Sequence, residues 1–396
     1  MRIGIVAPFN PKSIANFLDE DNIPAINTSA TAVNTLVSEF LEQGHHVVIF
    51  TLSTILPQKY MILRGRHVTV HLIPSGLLPN ILGVRQLVLG QFYLPKRLKG
   101  VIKKEINNID VLHAHWTYEY AKAASMFSDL IPVFDTVRDW CPYQLSIMKG
   151  KKKIDWILKN MTFKSVMKDN NIVFVANSHY TKKMIIDSYP NKNVPIIPNP
   201  IDKSWILEKK KNHVQHQIIS IASGLCSPRK NIGKLIEAFV EYRKIYPDAK
   251  LHLVGSYDSK ASNFLEWKNR GWLEDVVFYG SVPHNQLIDL LDNMSFMVHP
   301  AWEETFGNIL LESMSRCVPC IGGKSSGAVP DVLGHGEYGL LCDINDDKSI
   351  LESMISISDD CISIILQQKA TRMLKITYAS DVIVKKHIEM YEAAGW

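Results

Sequence analysis

Cysteine and uninterrupted apolar segments are both scarce in this sequence. Six cysteines are spread over 396 residues, which favours a reducing, cytoplasmic setting over a disulfide framework. No apolar run approaches the roughly 20 residues that a membrane-spanning helix needs. Residues 1–8 become polar too soon for a signal peptide and are typical of a first β-strand. We therefore expect a globular, cytoplasmic protein.

Two short motifs that would suggest other activities lack their usual context. The C-x-x-C at residues 317–320 has no second C-x-x-C to complete a zinc site, and it lies far from any first strand and helix. The G-x-G-x-x-G at residues 334–339 precedes an apolar run, whereas a dinucleotide-binding motif follows a strand and opens a helix. We expect neither a metal site nor NAD binding.

Apolar runs alternate with amphipathic helical segments along most of the chain. Strands are predicted at residues 3–7, 46–50, 68–73, 111–115, 133–137, 172–176, 194–197, 218–222, 250–255, 276–280 and 296–298. This order of strands and helices predicts parallel sheets covered by helices on both faces. The length suits two such domains. We expect them at residues 1–202 and 218–378, with a polar linker at 203–217 and a last helix at 379–396.

Residues 296–314 contain the pattern around which a functional site is expected. A short apolar strand is followed by a polar loop and by an amphipathic helix from about 306 to 316. Glu304 lies where the loop meets the helix, and Glu312 lies eight residues further on. A fully helical path between them would rise roughly 12 Å, which suits the two ends of an extended ligand. The alternative is that Glu304 caps the helix and Glu312 is an ordinary surface carboxylate.

Backbone amides and cations near these carboxylates favour an anionic ligand. The amides expected at the helix start, at Phe306, Gly307 and Asn308, suit a phosphate or sugar hydroxyls. A second helix start carries Arg229 and Lys230 after a glycine-containing turn, an arrangement that can hold a pyrophosphate. Taken alone, an Arg-Lys pair is more often simply solvated.

Polar residues also follow the strands of the first domain. In an open parallel sheet, ligands bind beyond the carboxyl ends of the strands. His115 ends one predicted strand, and Arg138 and Asp139 follow the next. These three are candidate binding residues, although a histidine at a strand end is often structural.

Together these motifs resemble the retaining nucleotide-sugar glycosyltransferases of family 4, which have the GT-B fold. The Glu304-x7-Glu312 spacing has a Phe-Gly pair inside it and is followed by a Val-Pro pair at 318–319 and by Gly-Ala-Val-Pro-Asp at 327–331, in the family's order. The resemblance implies two Rossmann-like domains facing across a cleft, with the C-terminal helix crossing back to the first domain.

The resemblance also implies roles for individual residues. Glu304 would contact the donor sugar, Glu312 the nucleotide ribose, and Lys230 the donor pyrophosphate. The loop that contains Val282 would meet the nucleotide base through its backbone. His115 would lie near the donor sugar.

The chain departs from the family's pattern at three places. Leu225 stands where the family usually has an arginine after the turn glycine, and Arg229 is the candidate substitute. Residues 26–31 lack the paired glycines that help the family bind phosphate. Arg138 replaces the histidine of the family's Thr-Val-His-Asp segment.

The activity implied is transfer of a sugar from a nucleotide-sugar donor to a glycan or lipid-linked acceptor, with retention of configuration and without a metal or other cofactor. Its setting would be the synthesis of bacterial surface polysaccharide. The departures keep a non-catalytic accessory subunit of GT-B fold as one alternative. A nucleotide-sugar 2-epimerase, which shares the fold, is a second alternative.

Apolar and basic residues are concentrated in two further segments. Residues 81–94 are rich in apolar side chains and precede a series of cations at 96–104, and a second group of lysines lies at 149–153. Apolar residues beside clustered cations suit an anionic membrane surface, here the inner face of the plasma membrane. The alternative is a core helix followed by a solvated one. Nucleic acid is not expected, because no recognised binding motif is present.

Overall fold

The structure is a computed structural model that describes residues 1–27, 29–53, 60–75, 84–209 and 214–395. It divides into two α/β units. Unit 1 comprises Met1–Pro200 with Ser380–Trp396, and unit 2 comprises Ile201–Ala379. The segment predicted as a linker, so far as it is described, belongs to unit 2.

Unit 1 is built on a seven-stranded sheet. Its strands are β1 (Arg2–Val6), β2 (His46–Ser53), β3 (Met61–Gly65), β4 (Val68–Pro74), β5 (Val111–His115), β6 (Val133–Val137) and β7 (Ile172–Ala176). Their order is β3-β4-β2-β1-β5-β6-β7, and every pairing is parallel except that of β3 with β4. The predicted strand at 194–197 forms only an isolated bridge between Ile196 and Ala176. Pro195 and Pro198 flank it, and proline cannot donate to a ladder.

Helices cover both faces of this sheet. They are α1 (Thr31–Glu42), α2 (Val84–Glu105), α3 (Glu119–Ser125), α4 (Cys141–Ile147), α5 (Gly150–Met167) and α6 (His179–Ser188). Strands β5 and β6 are buried along their whole length, although each of them has two polar residues among its five. Two separate apolar clusters result, one on each face.

Unit 2 is built on a six-stranded, wholly parallel sheet. Its strands are β8 (Gln217–Ile221), β9 (Lys250–Val254), β10 (Val276–Gly280), β11 (Phe296–His299), β12 (Cys320–Gly323) and β13 (Leu340–Cys342). Its helices are α7 (Ile232–Ile245), α8 (Ser262–Asn269), α9 (His284–Leu291), α10 (Asn308–Ser315), α11 (Val329–Val332), α12 (Asp347–Ile357) and α13 (Asp360–Met373). The strand order is β10-β9-β8-β11-β12-β13.

The last helix, α14 (Ser380–Ala393), is part of unit 1. Its residues Ile383, Val384 and Tyr391 are buried in the cluster that also contains the apolar stripe of α1. The Ser380 hydroxyl donates to a Glu39 carboxylate oxygen at 2.6 Å. The chain therefore leaves unit 1, builds unit 2 and returns.

The strand order of each sheet reverses direction at one point. In unit 1 the chain first extends from β1 toward β2 and β4, and then continues on the other side of β1 with β5. In unit 2 it extends from β8 toward β10 and then continues on the other side with β11. Loops that leave neighbouring strands in opposite directions open a crevice at the carboxyl ends, which is where ligands bind in such sheets.

Candidate active site

In unit 2, the loops that follow β8 and β11 lie side by side at this reversal. The Trp302 amide donates to the Arg229 carbonyl oxygen at 3.0 Å. Lys230 Nζ lies 2.5 Å from Glu304 Oε1, and Arg229 Nη1 lies 3.5 Å from Glu303 Oε2. Two consecutive cations on one loop thus face two consecutive carboxylates on the other.

The loop after β8 is shaped so that Lys230 points inward. Residues Pro228–Lys230 form a 3₁₀ turn, and the Lys230 amide donates to the Ser227 carbonyl at 2.9 Å. Asn231 then adopts a left-handed conformation, with φ of +54°, and its side-chain amide donates to the Ile344 carbonyl at 2.7 Å. As a result, Lys230 is only 6% exposed.

Glu304 lies between two basic side chains. In addition to Lys230, His299 Nε2 approaches its Oε1 at 3.3 Å, without hydrogen-bond geometry. Burial alone would raise the pKa of the Glu304 carboxyl, but the contact with His299 and the charge of Lys230 outweigh burial and lower it. Glu304 is therefore ionised at neutral pH, and Lys230 compensates its charge.

Glu304 is also fixed through its backbone. The Ala328 amide donates to the Glu304 carbonyl at 2.9 Å. Gly327, which has φ of +61°, passes so close that a Cβ there would lie 2.3 Å from that carbonyl oxygen. Only glycine fits this approach, which gives the Gly-Ala-Val-Pro-Asp segment a structural role beside the carboxylate.

The helix after Glu304 starts later than the sequence predicts. Helix α10 begins at Asn308, and Gly307 is its N-cap with φ of +89°. Glu304 therefore lies in the loop, and the 12 Å helical rise expected from Glu304 to Glu312 does not apply. Phe306 is buried, and its ring packs edge-on against Tyr378.

Glu312 is buried beside two aromatic rings that the sequence analysis did not single out. His284 Nε2 lies 3.2 Å from Glu312 Oε1. The His284 ring stacks on Trp205 with centroids 4.6 Å apart and an interplanar angle of 25°. Val282 precedes His284 by two residues and packs against the apolar cluster that contains the buried residues of α9 and α10. The available sequence signal was the histidine directly after the Gly-Ser-Val-Pro loop.

Leu225 does not line the loop surface. Its side chain is fully buried in the apolar cluster that contains α7, and its amide donates to the Ser256 carbonyl at 2.8 Å. The loop therefore carries a core residue where the family usually carries a cation. Arg229, whose side chain is 28% exposed, is paired with Glu303.

In unit 1, His115 and Arg138 come together at the carboxyl ends of β5 and β6. Arg138 Nε and Nη2 lie 3.2 and 3.0 Å from His115 Nδ1, and Arg138 Nη1 donates to Asn199 Oδ1 at 2.6 Å. The third candidate, Asp139, instead accepts a hydrogen bond of 2.9 Å from the Tyr118 hydroxyl.

Burial controls the charge states in this part of unit 1. It lowers the pKa of His115 well below the usual value, and the positive charge of Arg138 lowers it further, so His115 is neutral. Burial also lowers the pKa of Arg138 to about 10, which leaves it protonated at neutral pH. Asp135, inside β6, is fully buried, and burial raises its pKa to about 7. Neither of its carboxylate oxygens has a hydrogen-bond partner among the described residues.

The C-x-x-C at residues 317–320 and the G-x-G-x-x-G at residues 334–339 lie in parts of unit 2 that have a structural explanation. Cys317 and Cys320 are both buried and unbridged, and Gly334–Gly336 form a 3₁₀ turn before β13 rather than a loop that opens a helix. Among the described residues, no three metal-ligating side chains cluster together. In the same part of the chain, no helix has the length and apolarity to cross a membrane.

Two family models and several known proteins are similar to this chain. A model described as Glycosyltransferase Family 4 matches residues 29–205, and one described as Glycosyl transferases group 1 matches residues 203–374. The N-acetyl-alpha-D-glucosaminyl L-malate synthase of Bacillus anthracis is 24% identical over 388 residues, which cover 93% of this chain and 94% of that relative. The capsular polysaccharide biosynthesis glycosyltransferase CapM of Staphylococcus aureus is 28% identical over 200 residues, about half of each chain.

A solved structure shares the fold over nearly the whole length. The crystal structure of HepE from Anabaena, in complex with UDP-glucose, has a TM-score of 0.67 and 14% identity, and covers 99% of this chain and 100% of its own. The two family models together match residues 29–374. The chain belongs to the family 4-like glycosyltransferases and has the GT-B fold.

Proposed function

We propose that this glycosyltransferase moves a sugar from a nucleotide-sugar donor to a glycan or lipid-linked acceptor with retention of anomeric configuration. The observation that carries the proposal is the pairing of Lys230 with Glu304 at the strand-order reversal of unit 2, with Glu312 buried further along α10. HepE, which has the same fold, was solved with UDP-glucose.

Lys230 would stabilise the leaving group. During transfer, the bond between the anomeric carbon and the diphosphate oxygen breaks, and its electron pair leaves with the nucleoside diphosphate. Lys230 can neutralise that developing charge, with Arg229, the amide of the N-cap Gly307 and the amide of Asn308, the first residue of α10, as further donors. Because these groups already supply positive charge, the proposal requires no metal.

Glu304 would take a different partner as the donor binds. An anion that draws Lys230 away leaves an ionised carboxylate, which can accept hydrogen bonds from sugar hydroxyls. The new bond to the acceptor oxygen must form on the face from which the diphosphate departs, because retention is proposed, and the proton of the acceptor hydroxyl would pass to the departing diphosphate oxygen. Glu304 would hold the sugar in that orientation.

Glu312 would bind the ribose at the nucleotide end. A carboxylate accepts from both ribose hydroxyls, and His284, stacked on Trp205, holds Glu312 in place. The backbone around Val282 would meet the base. In unit 1, His115 remains the candidate for a contact with the donor, and Arg138 and Asp139 for the acceptor side.

An acceptor attached to lipid would require access to a membrane. Helices α2 and α5 of unit 1 pack against each other and expose large apolar side chains, including Phe92 (64% exposed) and Met161 (59%). Exposed lysines accompany them, namely Lys96, Lys99, Lys103, Lys104, Lys152 and Lys153. We call these apolar and basic side chains of α2 and α5 the basic–apolar surface. The part of this prediction that falls on residues 81–83 lies outside the described residues, and so do the side chains of residues 84–91.

The basic–apolar surface suits peripheral attachment to an anionic bilayer, since apolar side chains can enter the interface while lysines contact headgroups. A cytoplasmic enzyme attached in this way would meet lipid-linked intermediates of surface polysaccharide. The naming of a relative as a capsular polysaccharide glycosyltransferase supports this setting.

Product analysis tests the proposal. The protein is incubated with UDP-, GDP-, ADP- and TDP-sugars and a mixture of lipid-linked and free glycan acceptors, and the anomeric configuration of any glycoside is read by NMR. We expect a new glycoside with the configuration of the donor. An inverted product contradicts retention, an isomerised nucleotide-sugar indicates an epimerase, and binding without turnover indicates an accessory subunit.

A further inference from the structure

Arg138 contacts His115 in a way that restricts where the histidine can carry its proton. Both Nε and Nη2 of Arg138 lie within hydrogen-bond distance of the same ring nitrogen, Nδ1, at 3.2 and 3.0 Å. A protonated guanidinium has only donors. The Nδ1 atom must therefore be the acceptor, and the ring proton must be on Nε2.

The other side of Arg138 is anchored. Its Nη1 donates to Asn199 Oδ1 at 2.6 Å, so the guanidinium spans from the segment that follows α6 to the end of β5. This fork geometry explains why arginine is suited to a position where the family has histidine, since one planar group can reach both partners.

The second ring nitrogen of His115 has no hydrogen-bond partner among the described residues. This atom, Nε2, is fully buried. The neighbouring His113 differs, because its Nδ1 meets the Tyr391 hydroxyl at 2.6 Å and its Nε2 meets the Thr136 hydroxyl at 2.8 Å. A buried polar group without a partner is costly and points to a ligand.

We propose that Arg138 is a positioning residue that fixes His115 in the neutral tautomer with its proton on Nε2, so that His115 meets the substrate as a hydrogen-bond donor and not as a base. The matching substrate group is an oxygen acceptor, a sugar hydroxyl or a diphosphate oxygen. This rests on the proposed function only for the identity of that substrate; the tautomer itself does not depend on it.

The tautomer is measured by long-range ¹H–¹⁵N NMR on protein labelled with ¹⁵N-histidine, with the His115 signals assigned by their loss in His115→Gln. The parent should show a pyridine-type Nδ1 and a pyrrole-type Nε2 that do not titrate near neutral pH. Arg138→Met, which keeps the stem but removes the donors, should give a mixture of both tautomers. Arg138→Lys, which keeps a cation and a donor, should resemble the parent.

The His113 signals report whether the surrounding fold is intact in each variant. If Arg138→Met does not fold, Asn199→Ala, which frees the far side of the guanidinium, is read in the same way and should weaken the tautomer preference. A pyrrole-type Nδ1 in the parent overturns the proposal, and so does an unchanged Nε2–H tautomer in a folded Arg138→Met. Because the spectrum needs neither substrate nor turnover, the tautomer can be determined even if the proposed sugar transfer is not found.

Once an acceptor is found, a kinetic readout adds to the spectrum. Loss of a well-placed donor in a dry site lowers turnover by about 10-fold or more, so Arg138→Met should lower kcat more than it changes the KM for the donor. An unchanged kcat in a variant with mixed tautomers contradicts the link between tautomer and transfer.

Discussion

Lys230 Nζ and Glu304 Oε1 lie 2.5 Å apart, on loops that leave the neighbouring strands β8 and β11. The cation proposed to bind the diphosphate is thus compensated by the carboxylate proposed to bind the sugar. If a donor diphosphate binds Lys230 as proposed, it draws that cation from Glu304, and the carboxylate can then accept hydrogen bonds from the sugar. In this proposal the pair links diphosphate binding to orientation of the sugar.

The first prediction concerns the stability of this pair. Lys230→Met leaves the Glu304 charge buried without its cation, and removing one partner of a buried ion pair costs about 3–5 kcal/mol of unfolding free energy. Lys230→Met combined with Glu304→Gln removes both charges and should cost less than the sum of the two single changes. Urea unfolding of the four proteins measures the coupling.

Arg229→Met is the matched control for that cycle. Its partner contact is longer, at 3.5 Å, and the Arg229 side chain is 28% exposed, although Glu303 is buried. We expect a smaller loss than for Lys230→Met, because Coulomb attraction weakens with distance. Equal losses for Arg229→Met and Lys230→Met would contradict a stabilising ion pair between Lys230 and Glu304. So would strict additivity of the Lys230→Met and Glu304→Gln losses in the double variant.

The second prediction uses the buried carboxyl of Asp135. Its pKa is raised from 3.8 to about 7 on folding, so between these values the folded protein holds a proton that the unfolded chain releases. Stability therefore falls as pH rises through this window. At about 1.36 kcal/mol per pKa unit, the loss approaches about 4 kcal/mol.

Asp135→Asn removes this titration. Its stability relative to the parent should increase steadily from pH 4 to pH 7.5, as measured by urea unfolding at each pH. A constant difference between the two proteins across that range would show that Asp135 ionises equally in the folded and unfolded states.

The third prediction concerns the basic–apolar surface. Lys152→Gln/Lys153→Gln should weaken co-sedimentation with vesicles rich in anionic lipid by about 30-fold, since each lysine near such a surface contributes about 1 kcal/mol. Binding by the parent should also decrease with salt. The control is Lys260→Gln/Lys268→Gln, two exposed lysines of unit 2, which should bind like the parent. Equal effects of both pairs, or no binding at low salt, would remove the membrane proposal.

The fourth prediction separates binding from chemistry at Glu304. Glu304→Gln keeps the size of the side chain but loses its charge, so the nucleotide should still bind while transfer slows by about 10²–10³. The comparison is donor affinity by calorimetry beside turnover with an identified acceptor. Transfer at the parental rate would mean that Glu304 only holds the loop before α10.

Strands that are buried on both faces were the most predictable part of the fold. Runs such as residues 3–7 and 296–298 are apolar at nearly every position because helices cover both sides of the sheet. The predicted strands do not include β3, β12 or β13. Strands β3 and β13 lie at sheet edges and are only partly buried, and β12, although buried, has only four residues, two of them glycine. The start of α10 was placed two residues early, because the left-handed conformation of Gly307 is set by its surroundings.

The candidate site was only partly readable from sequence. Spacing and resemblance indicated Glu304, Glu312 and Lys230, but the direct pairing of Lys230 with Glu304 depends on β8 and β11 being neighbours. The stack of Trp205 on His284 joins segments about 80 positions apart, and no local pattern encodes it. The contact of Arg138 with His115 likewise requires the pairing of β5 with β6.

The most direct test of the account is donor affinity measured by calorimetry. A thermal-shift panel of UDP-, GDP-, ADP- and TDP-sugars first identifies the donor, since a ligand at 100 times its Kd stabilises the protein by about 2.7 kcal/mol. The Kd of that donor is then measured for the parent, Glu312→Ala and Lys230→Met, with Lys260→Gln as control. Each site variant should lose about 1.5–3 kcal/mol of binding, roughly 10- to 150-fold in Kd, while the control stays at the parental value. Parental affinity in both folded site variants, or no binding of any nucleotide-sugar, would contradict the account.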